Sequence, residues 1–492
     1  MNRWLTLFAV VIALGVTSNC GYKNKVSSGG GANAATITDL VSSVGVGASY
    51  TFTATTPNTN GYTAGISWSI SPATGAGTLT NVTNSGFSSS VVYTAPASAP
   101  NPNSATITAT PTDTAVGVAT DSFTVGSSTT PYSSTLSGRY AFEVMGFDAN
   151  GEPSSIVGTI TSDGSGKITA GALDMNQGSA ATVHAASLVG TYTLGSSFRG
   201  TLTLTAGVSA TAQPMSFAIS LASDGKTGVL EGEDSGGFQM MNGTLQQQDA
   251  SAFSLAKISG EFAFKLESNS DVRVATVGEF AIGANSNIAG LADSSQSGAG
   301  PVLTSAGVAG RVTAPPDRNG RGTLSLGMGG ATSQLVYYIA SSQTVFLMES
   351  VSAGGAARLT GIAERQVLPF TAATANASST FRASGFDAQV STPGPVSLTG
   401  SLAIQNLTHA ELSWNASSAR PTQPGISLRS ELVTFDPSTG RGTIQIANGY
   451  SNNFADSVAF YLAAPGEGFL LDTTAGKFNR AIVGDLNTGG AN

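Results

Sequence analysis

A chain of 492 residues is longer than one hydrophobic core can serve, because single cores stop growing near ~250 to 300 residues; three or four domains are expected. Only 10% of residues are charged against 40% hydrophobic, and 61 are glycine, a balance short of the Glu, Lys and Arg of helical surfaces and suited to strands and turns. The net charge of −8 argues against nucleic acid as a partner, and a single cysteine excludes an internal disulfide framework and a cysteine-rich metal site.

The chain opens with a basic residue, Arg3, an apolar run from Trp4 to Val16, and the small polar stretch Thr17, Ser18, Asn19. That is the layout of a secretory signal peptide, which assigns residues 1–19 to a removed leader. As a helix the apolar run reaches about 20 Å, short of the ~30 Å hydrocarbon core, so a permanent transmembrane anchor is the weaker reading. Cys20 follows directly, and residues 20–35 form a Gly/Ser-rich flexible tether. A cysteine placed between an apolar run and a polar tract resembles the lipobox of bacterial lipoproteins. The resemblance implies that the Cys20 thiol receives a diacylglycerol, which would hold the exported protein to the cell envelope at the outer membrane or cell surface. The alternative is an ordinary secreted protein with a free thiol on its terminus.

Residues 36–126 read as short alternating strands broken by Gly, Pro, Asn and Ser clusters, the pattern of an antiparallel sandwich. Tyr50, Phe52 and Ala54 share one face, as do Ile66, Trp68 and Ile70, and Ala105, Ile107 and Ala109. Trp68 could offer a platform for a sugar, but its place midway along an alternating strand reads as core. The runs GASYTFTAT from Gly47, ISWSI from Ile66, VYTAP from Val92 and SATITAT from Ser104 resemble bacterial immunoglobulin-like domains of surface proteins. The resemblance implies a spacer or adhesive unit without catalytic residues.

Beyond a linker at Gly126 to Thr135 the chain repeats itself at a period of about 120 residues. Arg-Gly-Thr followed by alternating apolar residues recurs at Arg199, Arg321 and Arg441, and a second glycine recurs at Gly158, Gly278 and Gly400. The modules span residues 136–250, 255–367 and 376–487. The first holds eight candidate strands: Arg139 to Phe147, Ile156 to Thr161, Lys167 to Asp174, Leu188 to Leu194, Gly200 to Thr205, Met215 to Leu221, Gly228 to Glu233 and Gln239 to Gln246. Eight sequential strands without a helical stretch favour an up-and-down barrel, loosely similar to lipocalins and avidins; an eight-stranded sandwich is the alternative. The fold class expected is therefore all-β: one sandwich, then three eight-stranded antiparallel modules.

Chemistry is sparse. His184 and His409 lie in different copies at non-matching places, and no Gly-x-Ser-x-Gly elbow or His-Glu-x-x-His helix occurs. Glu231, Glu233 and Asp234 crowd one strand end and could hold Ca²⁺, but Glu349 and Asp472 stand alone at the matching places, which favours a solvated strand end. Neighbouring residues of Tyr337-Tyr338 and Phe460-Tyr461 point to opposite faces, so one of each pair should be exposed or in a barrel interior, a hint of ligand or glycan contact. Each repeated arginine sits at a hairpin mouth, where it would bond strand-end carbonyls; capture of an anion or glycan is the alternative. On that reading, removing it lowers the stability of its own module alone, by ~1 kcal/mol. The expectation is a non-enzymatic lipoprotein without cofactor or metal, in a structural or adhesive role. Its partners would be a membrane through the lipid anchor and a surface polysaccharide or protein. Small-ligand or glycan binding in the barrels is the first alternative, a hydrolase the second.

Overall fold

A computed structural model describes residues 34–488 apart from 39–40, 42, 58–64, 115, 127–131, 149–150, 178–181, 196, 208–213, 233–237, 269–272, 298–301, 351–358, 372–376, 388–393, 407–408, 418–422, 447–456 and 475–480. Cys20, Glu233 and Asp234 therefore lie outside the described residues. The chain divides into two compact units, one up to Pro131 and one from Tyr132 onward.

In the first unit, two four-stranded sheets enclose one core. One sheet orders Thr36–Ile37, Ser49–Thr55, Ser88–Thr94 and Thr78–Ser85; the other orders Ser43–Gly45, Ala119–Gly126, Ser104–Pro111 and Ile66–Ser71. Period-two alternation puts Phe52, Ala54, Val91 and Tyr93 of the first sheet against Ile66, Ala105, Ile107, Ala109, Phe123 and Val125 of the second. The rings of Phe52 and Phe123 stack with centroids 5.4 Å apart. Trp68 is half-buried against this core, and its Nε1 donates to Ser89 Oγ at 2.9 Å. A partner for the indole N–H lets the ring pack without an unsatisfied donor, which accords with a core role.

The second unit holds three closed barrels, each of eight antiparallel strands in sequence order. The strands of barrel 1 are Ser137–Asp148, Pro153–Asp163, Lys167–Gln177, Val183–Leu194, Arg199–Ala206, Met215–Leu221, Thr227–Gly232 and Phe238–Gln247. With an even strand count the first and last run opposite ways, so Phe142 can pair with Leu245 and the sheet closes on itself without an edge. Barrel 2 runs from Gly260–Glu267 to Thr360–Arg365 and closes between Phe264 and Ala363; barrel 3 runs from Ser378–Asp387 to Val483–Asn487 and closes between Phe381 and Leu486.

Inward residues fill each barrel, among them Tyr140, Phe142, Phe217 and Leu230 in barrel 1, Phe262, Phe264, Leu324 and Tyr337 in barrel 2, and Phe381, Trp414, Phe460 and Leu470 in barrel 3. The repeated glycines belong to this packing. Gly158, Gly278 and Gly400 pair across the sheet with Phe142, Phe264 and Phe381, whose rings lie so close that an added Cβ would sit 2.9, 2.5 and 2.6 Å from ring carbon. A ring laid over a strand glycine fills the lumen while covering backbone that has no side chain of its own. The glycine of the Arg-Gly-Thr motif is used likewise: a Cβ on Gly322 would meet the Tyr337 ring at 2.2 Å, and one on Gly442 the Phe460 ring at 2.0 Å. Barrel 1 has Ile219 opposite Gly200 instead.

Candidate functional site at the barrel junctions

The barrels dock on one another through outer faces that alternation would otherwise give to solvent. On barrel 1 the outward Ala141 and Val157 meet Val336, Tyr338, Ala340, Phe346 and Met348 of barrel 2. On barrel 2 the outward Ala263, Ala275 and Val277 meet Tyr461, Ala463, Phe469, Leu471 and Val483 of barrel 3. Strands buried on both faces read as continuous apolar runs, and this is why Thr344–Glu349 is buried at every position whereas Met215–Leu221 of barrel 1 alternates.

At the centre of each junction stands a carboxylate with no exposure. Asp174 of barrel 1 accepts from Arg321 Nε and Nη2 of barrel 2, both at 2.7 Å, and from the Tyr338 hydroxyl at 2.8 Å. Asp293 of barrel 2 accepts from Arg441 Nε and Nη2 of barrel 3, both at 2.8 Å, and from the Tyr461 hydroxyl at 2.6 Å. The flat guanidinium fork matches both carboxylate oxygens at once, which fixes orientation as well as distance. Both aspartates sit at register shifts of their strands, and a residue with positive φ on the next strand, Ala185 at 48° or Ser305 at 49°, turns its N–H onto the same carboxylate. His184 Nδ1 lies 3.1 Å from Asp174 Oδ1. Burial, together with the neighbouring aspartate, pushes both tyrosine hydroxyls far above their ordinary range, so they remain donors at every physiological pH.

The Arg321 and Arg441 guanidinium groups thus bond aspartates rather than strand-end carbonyls of their own module. Arg321 and Arg441 reach the preceding barrel, a role that no within-repeat spacing carries. Of each aromatic pair one member lies in a barrel interior, as alternation required. Tyr337 and Phe460 line the lumen, Tyr338 and Tyr461 face the junction, and none of the four is exposed. His409 lies on an outer face of barrel 3, and Glu231 is exposed. Glu349 and Asp472 are buried rather than solvated. Among the described residues no group of three or more His, Cys, Asp or Glu is placed to hold a metal ion. The cavity inside barrel 2, lined by Phe262, Phe280, Leu324, Tyr337 and neighbours, has room of ≈10 Å³, about one water and far below the ~300 Å³ of a small-molecule site.

A second polar cluster gathers strands of all three barrels. Lys265 of barrel 2 lies 2.7 Å from Asp485 of barrel 3 and 3.8 Å from Glu267, and Arg273 pairs with Glu267 while donating to Ser384 Oγ of barrel 3 at 3.0 Å. Burial by itself would lower the Lys265 ammonium, but Asp485 and Glu267 hold it well above the usual range. Glu143 of barrel 1 is pushed up to about 7 by burial, against the pull of Lys265. Glu364 is pushed up to about 7 by burial and by Asp485 and Glu467.

The two ends of the array lack these features. Arg199 of barrel 1 is exposed, and the strand partner across from it is Ser220 rather than tyrosine; Val229 and Glu231 stand where barrel 2 has Phe346 and Met348. On barrel 3 the position of the buried aspartate holds the exposed Asn415, paired with the exposed Thr399 where barrels 1 and 2 have Val157 and Val277. Apart from the exposed Val229 these end faces are polar, and polar outer faces at the terminal repeats are what stops an array from growing. The protein is accordingly expected to sediment as a monomer at micromolar concentration, and concentration-dependent head-to-tail oligomers would contradict that assignment of the ends.

The comparisons add no relative: no family model and no curated protein matches the chain.

Proposed function

We propose that this chain is a non-enzymatic lipoprotein of the bacterial cell envelope, tethered through Cys20, whose immunoglobulin-like unit and three-barrel array serve a structural or adhesive role at the surface. The observation that carries the reading is where the repeated residues go. The Arg-Gly-Thr arginines of barrels 2 and 3 bind neighbouring barrels, the motif glycines and their aromatic partners fill lumens, and repetition is directed at cohesion rather than at a shared pocket. A filled barrel gives a small ligand no place to bury most of its surface, which weighs against the small-ligand alternative. Anchoring rests on the apolar leader and the position of Cys20.

Metabolic labelling with radioactive palmitate tests the anchor. The wild-type chain should take up label and stay with the membrane fraction, and Cys20→Ser should lose both. Release of the Cys20→Ser protein with labelling unchanged would remove the lipid from the proposal.

A further inference from the structure

The linkers entering barrels 2 and 3 make the same contact at both junctions, with one difference. At the first, Gln248 Nε2 donates to the carbonyls of Asn319 at 3.1 Å and Ile339 at 2.6 Å, and Gln248 Oε1 accepts from the Thr159 hydroxyl at 2.6 Å. At the second, Gln366 Nε2 donates to the matching carbonyls, Thr439 at 2.7 Å and Leu462 at 2.8 Å, while Gln366 Oε1 is buried with no donor among the described residues. Two carbonyls claim the amide nitrogen, so the amide cannot be turned round to present N–H on its other side. Oε1 needs a donor, and the residue at the Thr159 position in barrel 2 is Glu279. Thr159 pairs with Ala141 and Ala172; Glu279 pairs with the matching Ala263 and Leu291 and is 6% exposed. An ionised carboxylate there would set negative oxygen against a carbonyl oxygen in a dry junction, whereas a neutral carboxyl has an O–H to give.

We propose that Glu279 is a neutral carboxylic acid in mildly acidic solution and donates its hydroxyl to Gln366 Oε1, making at the second junction the bond that Thr159 makes at the first. The junction between barrels 2 and 3 is then sensitive to pH through this bond, and the Gln248 to Thr159 bond of the first junction is not. The charged groups acting on Glu279 agree. Burial is the largest influence, Glu261 on the neighbouring strand and Asp436 from barrel 3 are both acidic, and together they push the carboxyl up to about 7, with the Leu291 N–H pulling the other way. The folded value lies above the ordinary 4.5, so this contribution to stability is complete below about pH 4.5 and is lost as pH rises through about 7. Glu143 and Glu364 titrate in the same window at the three-barrel cluster, so the test must isolate Glu279 by difference.

The full chain is to be compared with Glu279→Gln, whose amide donates at every pH and whose effect does not depend on the lipid anchor. The infrared spectrum of wild type minus variant should show a protonated carboxyl band at pH 6 that disappears by pH 8 to 9. Calorimetry at pH 6 in buffers of different ionisation enthalpy should show the variant releasing about 0.9 proton fewer on unfolding. Glu279→Thr, which copies the first junction, provides the same readouts should the glutamine variant fold poorly. Absence of the band at pH 6, or equal proton release from wild type and both variants, overturns the proposal.

Discussion

Arg321→Ala is expected to destabilise barrels 1 and 2 together by ~3 to 5 kcal/mol, because it leaves the wholly buried Asp174 charged and without its guanidinium partner. The same change at Arg199, which is exposed and sits in the same motif, should stay within ~0.5 kcal/mol. In a thermal scan the Arg321 variant should split off an early transition that the Arg199 variant lacks. A double-mutant cycle with Asp174→Asn should return a coupling energy of ~2 kcal/mol or more. Equal effects of the two arginine variants, or a loss confined to barrel 2, would restore the within-module role that the sequence pattern suggested and dismiss the junction as incidental.

Phe460→Ala is expected to cost barrel 3 ~3 to 5 kcal/mol, since it empties a fully buried ring site and uncovers the Gly442 backbone beneath it. Phe460→Leu, which keeps most of the volume, should cost less than half as much. Gly442→Ala tests the same contact from the other side. Its Cβ would fall 2.0 Å from ring carbon, so the ring must move, and a loss of ~1 to 3 kcal/mol is expected, read from a lowered denaturant midpoint of barrel 3. A Gly442→Ala protein as stable as wild type would show that the motif glycine is not held by ring packing.

Sequence alone determined the all-β class, the repeat and the eight strands of each copy, because a half-buried strand writes its pairing face into every second residue and turns punctuate it with glycine. Barrel closure was legible only as a preference over a sandwich. Hairpin order is the same in both, and the contact of Phe142 with Leu245 joins the first strand to the last. What the repeated arginines do could not be read from a single copy. Arg321 and Asp174 lie far apart in sequence and belong to different modules, and the outward face of a strand carries no mark of what covers it. One signal was present in the chain: Val336 to Ile339 and Val458 to Leu462 are apolar without alternation, whereas Met215 to Leu221 alternates, and a strand that is apolar on both faces must be covered on both. The carboxylates gave no such signal. Asp174, Asp293 and Asn415 occupy one structural position, but only the docking of the next barrel decides that the first two are buried anchors and the third a solvated end, because the charge of a side chain says nothing of its partner until the tertiary structure supplies one.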